Sequence, residues 1–225
     1  MPKLIKIQNP KFIDEVEEII DLSGIILIDF IDLREEFIYN EKIQNKLIEN
    51  TDIESKNDVG ITVDSCIFNN ITFIDCSFER VDIIDTVFKN CDLSNVSFVG
   101  GSIHRTQFIN CKLVGARFDE CNLKNVLFEN ILGKYSNFSF SKINNVNFIE
   151  SNMTEAVLQD VKFDKTVFEN CDLTNGFFNN TFLGKMDLTT CEISGIDVNI
   201  PNVYGATVTT MQALDLSRLL GLNIK

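Results

Sequence analysis

Residues 66–100 read CIFNN ITFID CSFER VDIID TVFKN CDLSN VSFVG when they are written in groups of five. The third residue of every group is Phe, Ile or Leu, and the first is Cys, Ile, Val or Thr. A period of five fits neither an α-helix, with 3.6 residues per turn, nor a flat strand, with a period of two. It fits a coil that turns a corner after each group. The first and third residues then face inward, because side chains alternate along a strand.

The period continues without an insertion to Val208. We call the third residue of each group the centre position, and its residue number ends in 3 or 8. Between Phe68 and Val208 the 29 centre positions hold thirteen Phe, fifteen Leu, Ile, Val or Met, and Gly133. At Gly133 the sequence allows two alternatives, a gap filled by Leu132 or a neighbouring ring, and a bend or bulge. The fifth position is often Asn, which tolerates the backbone dihedrals of a corner.

The number of sides follows from residues that are twenty apart. One column of centre positions holds Phe68, Phe88, Phe108, Phe128, Phe148 and Phe168, and a second holds Phe78, Phe98, Phe118, Phe138 and Phe178. The two columns between them are mainly aliphatic. We therefore predict a four-sided coil of twenty residues per turn with Phe on two opposite sides. At about 4.8 Å per turn, residues 66–208 would form a rod of about seven turns and about 34 Å.

All seven cysteines lie at the first position of a group: Cys66, Cys76, Cys91, Cys111, Cys121, Cys171 and Cys191. No pair has the CxxC-like spacing of a zinc site or redox motif. Cys91 and Cys111, like Cys171 and Cys191, would lie one coil apart, within possible disulfide distance. Parallel side-chain directions and a reducing cytosol argue against a bond. We predict seven reduced, unmetallated thiols that fill the core.

The two ends of the chain leave the period. Residues 1–65 form an acidic segment, in which Pro10 to Leu22 has the apolar spacing of an amphipathic helix and the rest is interpreted as degenerate coils and a cap. Residues 209–225 follow the coil. Thr209 or Thr210 can cap a helix that runs to about Leu220 and ends at Gly221.

The apolar residues of this C-terminal helix spread too widely for one buried face. One side would close the last coil, and the other would form a homodimer interface. The residues predicted for that interface are Met211, Leu214, Leu219, Leu220, Leu222 and Ile224. A simple cap without a dimer is the alternative.

The sequence offers no catalytic constellation. The single histidine, His104, follows a centre position and is predicted to face outward. We find no nucleophile–base pair, glycine-rich phosphate loop or metal-ligand cluster, and predict neither an enzyme, a cofactor nor a metal. Without an apolar stretch of eighteen residues or a signal-peptide pattern, a cytoplasmic protein without a membrane partner is expected. A net charge of −13 argues against direct binding of nucleic acid.

The groups Cys91-Asp92-Leu93-Ser94-Asn95 and Cys171-Asp172-Leu173-Thr174-Asn175 resemble the consensus of the pentapeptide-repeat family. The resemblance implies an all-β fold, a right-handed quadrilateral β-helix. Ser102-Ile103-His104-Arg105, residues 135–142 and residues 219–225 resemble the quinolone-resistance (Qnr-type) branch. Members of that branch form rod-like dimers that bind DNA gyrase or topoisomerase IV and protect it from quinolones or toxins.

The resemblance therefore implies a DNA-mimicking partner of a type II topoisomerase. The acidic patches predicted to bind it are Asp119 with Glu120 and Glu169 with Asp172. Residues 66–208 hold 17 acids and 11 bases, whereas duplex DNA of the same length carries about 20 negative charges. Mimicry would thus depend on shape and local patches. The alternative is an interaction scaffold without a topoisomerase target.

Overall fold

The computed structural model describes residues 3–12, 18–21, 42–55 and 57–222. The chain forms a parallel β-solenoid that ends in one short α-helix, α1, at Thr210–Leu216. The strands are β1 Glu18–Asp21, β2 Lys42–Gln44, β3 Lys46–Glu54, β4 Asn57–Val59, β5 Thr62–Asp64, β6 Ile67–Ile74, β7 Ser77–Glu79, β8 Asp82–Ile84, β9 Val87–Lys89, β10 Ser102–His104, β11 Gln107–Ile109, β12 Asn122–Glu129, β13 Lys142–Ile149 and β14 Lys162–Glu169.

The solenoid has four walls, and its register advances by twenty residues per coil. On wall 1, Ile48 pairs with Phe68, and five further steps lead to Phe168. Wall 4 advances in the same way from Ile43 to Phe163. Wall 2, which includes Asp92 and Lys112, and wall 3, which includes Ser97 and Arg117, are held mostly by isolated bridges. Such bridges continue the register to Thr207. The predicted four-sided, twenty-residue coil is confirmed.

Each corner is made by one residue in the left-handed region. Every fifth residue from Asn45 to Lys185 has a positive φ, and 26 of these residues are not glycine. This conformation costs most L-residues about 1–2 kcal/mol, and Asn less, because its side chain bonds locally. The preference for Asn at the fifth position is therefore a preference of the corner backbone.

Two columns of phenylalanine rings fill the interior. In wall 1, rings from Phe68 to Phe168 stack with centroids 4.7–5.0 Å apart and planes within 3–10°. Wall 3 repeats this from Phe98 to Phe138 at 4.9 Å. The two columns meet edge to face at 5.9 Å. Stacked and edge-on contacts are the two favourable arrangements of aromatic rings, so the columns hold opposite walls together.

Many first positions hold small side chains that can donate a hydrogen bond. Thiols of all seven cysteines donate to the carbonyl oxygen 23 residues earlier at 3.0–3.7 Å, as Cys121 does to Phe98. Ser141, Thr166 and Thr181 form the same bond through their hydroxyls. All seven cysteines are free and buried, as predicted. Burial raises the pKa of the Cys66 thiol to about 11 and that of Cys121 to about 12.

Gly133 leaves a gap that Ile131 fills. A Cβ built on Gly133 would lie 3.2 Å from the Cδ1 atom of Ile131, which is buried. Leu132, which the sequence suggested as the filler, is 37% exposed. The register runs through the glycine unchanged, since Leu132 pairs with Lys112 and Asn152. Gly133 therefore makes no bulge.

Residues 3–12, which we call the strap, run along the outside of the solenoid across its coils. They follow the corner between walls 4 and 1. The main chain of Ile5 exchanges hydrogen bonds with the Asn147 side chain at 3.2 and 2.8 Å, Gln8 N donates to Asn125 Oδ1 at 3.4 Å, and Lys11 N donates to Asp85 Oδ1 at 2.8 Å. Asp85, Asn125 and Asn147 are buried, which outward side chains of a solenoid ordinarily are not.

The helix predicted from Pro10 to Leu22 is wrong for the described residues. Pro10 and Phe12 belong to the extended strap, and Glu18–Asp21 form strand β1. Residues 13–17 and Leu22 lie outside the described residues. Strand β1 pairs with β3 in the register Ile20 to Ile48. This step spans 28 residues, eight more than the twenty-residue steps elsewhere.

Helix α1 closes the C-terminal end, as predicted. Thr209 caps it through a capping box with Gln212, and Gly221 ends it after the 3-10 turn Ser217–Leu220, at φ 68°. The Gln212 side chain donates to the carbonyls of Leu188 and Cys191 at 2.8 and 2.7 Å. These bonds attach the helix to the end of the solenoid, and the Leu188 carbonyl also accepts from Cys191 N at 2.9 Å.

Candidate protein-binding surfaces

Outward charges segregate by wall. Walls 1 and 2, which share a corner, carry most of the described acids. Wall 1 from Glu49 to Asp187 bears five acids and one lysine: Glu49, Lys89, Glu129, Glu150, Glu169 and Asp187. Wall 2 from Asp52 to Glu192 bears seven acids and two lysines: Asp52, Glu54, Asp75, Asp92, Lys112, Lys134, Glu155, Asp172 and Glu192. The two walls together form one acidic surface.

Glu169 and Asp172 lie on this acidic surface, on either side of the corner residue Asn170. Both are half-exposed. Partial burial would raise the pKa of Asp172, but hydrogen bonds from Thr174 and Thr154 outweigh it and lower the pKa below its ordinary value. The Asp172 carboxylate is therefore charged at neutral pH and available to a cationic partner.

The other predicted pair lies elsewhere. Asp119 belongs to wall 3, opposite wall 1, and Glu120 is the corner residue after it. Asp119 is 9% exposed and accepts two hydrogen bonds from the Arg117 guanidinium, at 3.1 and 2.8 Å. Glu120 is exposed. The structure does not bring the two predicted patches together, and Arg117 already neutralises one of the four carboxylates.

The C-terminal end carries an exposed apolar surface. Of the residues predicted for a dimer interface, Met211 is 73% exposed, and Leu214, Leu220 and Leu222 are 48–59% exposed. Leu219 instead packs against the core, together with Leu216. Ile224 lies outside the described residues. The 3-10 turn Ile200–Val203 and helix α1 border an apolar groove of about 290 Å³.

His104 is half-buried rather than freely exposed. Its ring contacts the Arg105 guanidinium at 3.2 Å and the Asn125 amide at 3.3 Å. Burial, together with Arg105 and Lys124, lowers the His104 pKa below its ordinary value. In the described part of the chain, no His, Cys, Asp and Glu side chains group as a metal site. Among the same residues, no helix has the length and apolarity to span a membrane.

This architecture defines a class: a four-sided parallel β-solenoid built from five-residue units. Residues 81–158 match the family model described as the pentapeptide repeat region. Over that segment the chain is similar to pentapeptide-repeat proteins. Residues 31–118 also match the model of the SV2A/B/C luminal domain. No curated protein matches the sequence.

Solved structures of pentapeptide-repeat proteins resemble the fold. HetL from the cyanobacterium Nostoc sp. strain PCC 7120, involved in regulation of heterocyst differentiation, is 12% identical with a TM-score of 0.50, over 78% of this chain and 92% of HetL. Full-length QnrB1, a plasmid-mediated fluoroquinolone resistance protein, is 24% identical with a TM-score of 0.39, over 80% of this chain and 90% of QnrB1. At these identities the likeness concerns the fold.

Proposed function

We propose that the protein acts by binding a partner protein, without catalysis, and that the partner is a type II topoisomerase, DNA gyrase or topoisomerase IV. The observation that carries the proposal is the acidic surface of walls 1 and 2. It extends along one side of a straight rod, as the phosphates of DNA extend along a duplex. A protein of this shape acts by occupancy, competing with DNA for basic side chains.

The length of the rod and its charge determine how closely it can mimic DNA. From Ile48 to Val208 the rod is about 38 Å long at about 4.8 Å per coil. Duplex DNA of that length carries about 22 negative charges. Walls 1 and 2 together carry a net of nine, twelve acids against three lysines. A homodimer formed through the C-terminal surface would double the length of the acidic surface without raising its charge density.

The experiment is a gyrase supercoiling assay with the full-length protein, with and without ciprofloxacin. We expect inhibition of supercoiling that weakens as salt rises, because charges are screened over about 10 Å at 0.1 M salt. The double variant Glu169→Lys/Asp172→Lys should weaken inhibition. The matched control, Glu79→Lys/Glu120→Lys, reverses two exposed acids on the wall 3 side and should retain it.

A scaffold without a topoisomerase target is the second candidate. The observation that favours it is the charge density, which is less than half that of DNA. Wild-type protein that neither inhibits supercoiling nor restores it in the presence of ciprofloxacin, at low salt and in large excess, would reject the topoisomerase proposal. The acidic surface would then serve another basic partner.

A further inference from the structure

Eight of the chain's 20 lysines and arginines lie on one side of an otherwise acidic molecule. From Asn122 to Lys185, wall 4 and its corners carry five exposed lysines and one aspartate: Lys124, Lys142, Lys162, Lys165, Lys185 and Asp164. The strap lies along the edge of this wall and adds Lys3, Lys6 and Lys11, all exposed, with no acid among residues 3–12. We call these eight lysines and the wall beneath them the basic side.

The basic side is not neutralised locally. None of its eight lysines forms an ion pair with a described residue. Asp164 accepts a hydrogen bond from Asn144 at 2.5 Å. Lys3 and Lys185 line a recess with Asp187, whose carboxylate accepts two hydrogen bonds from Thr189, at 3.0 and 2.6 Å. Glu120 and Asp160 flank the opposite edge of the wall.

The lysines form short columns along the rod. Lys142 pairs in register with Lys162, so their backbones lie about 4.8 Å apart. Lys165 and Lys185 follow each other along the corner in the same way. Wall 2, which is acidic, lies opposite, and packed sheets are about 10 Å apart before outward side chains are counted. The screening length is about 8 Å in 0.15 M salt. The acids of wall 2 therefore lie more than about 10 Å from an anion at the basic side.

An exposed aromatic ring lies along the same wall. Phe182 follows Lys162 in its column and is 54% exposed. A Cβ built on Gly184 would overlap Cζ of this ring and would lie 2.6 Å from its Cε1. Gly184 does not have a positive φ, so the backbone does not require glycine there. The glycine instead leaves room for the ring to lie along the wall, where about half of its surface stays exposed.

A second exposed ring lies one coil further. Lys185 N donates to Gly205 O at 3.0 Å, which places Tyr204 beside Gly184 in the next coil, and Tyr204 is 83% exposed. A flat ring among unpaired lysines is the arrangement by which proteins bind single strands, with bases on the rings and phosphates on the cations. An acidic peptide has no group that needs the ring face. A bilayer would favour rings that project from the wall.

We propose that the basic side binds single-stranded nucleic acid, with a base stacked on Phe182 and phosphates bound by Lys142, Lys162, Lys165 and Lys185. This binding is separate from the topoisomerase interaction, which uses walls 1 and 2. The net charge of −13 predicted no direct contact with nucleic acid. That sum conceals the segregation, because most of the acids are on other walls.

The test is fluorescence anisotropy of a fluorescein-labelled dT20 strand titrated with the full-length protein at low salt. We expect saturable binding whose affinity falls with salt, with a log–log slope of about −3 for four phosphates at about −0.7 each. Phe182→Ala should weaken binding about 5- to 100-fold, from the typical loss of one base stack. Phe182→Tyr should restore it. Lys162→Glu/Lys165→Glu should abolish it.

Matched controls test whether a loss of binding is specific to the Phe182 ring and to the lysines of the basic side. Phe177→Ala removes a 40% exposed Phe from wall 3, and Lys89→Glu/Lys134→Glu reverses two lysines on walls 1 and 2. Both should bind dT20 as the wild type does. Any of three results would overturn the proposal: no saturable binding of dT20, equal binding by Phe182→Ala and wild type, or binding of duplex DNA, heparin or anionic vesicles as tight as that of dT20. Supercoiling inhibition would be unaffected by any of them.

Discussion

At the residue scale, two positions in each group of five determine the fold. The centre position supplies the interior, where the rings of Phe108, Phe128 and Phe148 stack at 4.7–5.0 Å. The corner position supplies the turn, where residues such as Asn110 and Asn130 have φ values of 54° and 50°. Neither position works alone. Without the corners the chain would continue as an extended strand. Without a filled interior the corners would enclose no packed core.

The register itself can be tested by placing a charge on either side of the wall. Phe128→Asp buries an unpaired carboxylate in the ring column and should unfold the protein, with a loss above about 4 kcal/mol. Glu129→Asp, one residue further, changes a half-exposed acid and should leave the melting temperature nearly unchanged. Circular dichroism melting measures both. Equal effects of the two substitutions would contradict the assignment of inward and outward positions.

The buried thiols make stability depend on alkaline pH. The folded pKa of Cys66 is about 11 and that of Cys121 about 12, above the ordinary 9.0. Between pH 9 and those values the folded protein holds more protons than the unfolded chain, so stability is complete below pH 9 and falls as pH rises.

We expect the urea midpoint to drop between pH 8 and pH 10.5. Cys121→Ser should show a smaller drop, because a serine hydroxyl can donate to Phe98 O and does not titrate there. A variant that loses as much stability as the wild type over this range would show that other groups cause the pH dependence. Native thiols should also react slowly with a colorimetric thiol reagent, and quickly after denaturation.

The sequence predicted the interior well, because inward residues repeat and repeats are visible in one dimension. It predicted the contacts of single outward side chains poorly. Asp119 was expected to contribute a free charge, yet Arg117 lies two residues earlier on the same face of the wall, a spacing that could have revealed the pair. Leu132 was expected to fill the space at Gly133. The first position was already occupied by Ile131, whose longer side chain reaches that space.

At the element scale, the strap is the feature that the sequence concealed. Its partners include Asn125 and Asn145, whose side-chain amide donates to Lys6 O at 3.4 Å. Both occupy corners, where Asn is common for backbone reasons, and nothing in the sequence distinguishes a corner that binds the strap. The helix predicted for Pro10 to Leu22 failed for a related reason. The helical spacing of Phe12, Val16 and Ile19 is a local signal, whereas β1 forms by pairing with a strand 28 residues away.

The strap should be released by removing its amide partners. Asn125→Ala/Asn147→Ala deletes three hydrogen bonds to the main chain of Ile5 and Gln8. Each bond contributes about 1 kcal/mol, so cleavage by trypsin after Lys6 should be at least about fivefold faster. Mass spectrometry of timed digests measures this rate. The control Asn110→Ala/Asn130→Ala alters two exposed corner residues away from the strap. Equal protection in all three proteins would show that the strap does not depend on these bonds.

At the scale of the whole molecule, the walls have separate properties. Walls 1 and 2 are acidic, wall 4 and the strap are basic, and the C-terminal end is apolar. A solenoid permits this because each outward position on a wall repeats every twenty residues, so a charge preference at one position becomes a stripe along the rod. The sequence period predicts the stripes once four walls are established. The position of the strap, which completes the basic stripe, required the structure.

The C-terminal end determines the expected oligomer. Helix α1 and the turn after it pack the partly buried Leu216 and Leu219 against the last coil. They leave Met211, Leu214, Leu220 and Leu222 exposed, more apolar surface than a cap alone explains. We expect light scattering to give a mass near twice 25.5 kDa. The double variant Leu214→Glu/Leu220→Glu should yield a folded monomer, because it changes only the exposed side of the cap. Truncation after Val208 should give monomer or aggregate, since the last coil then presents unpaired backbone groups. A truncated protein that remains a well-behaved dimer would place the interface elsewhere, and the acidic first 65 residues would be the next segment to test.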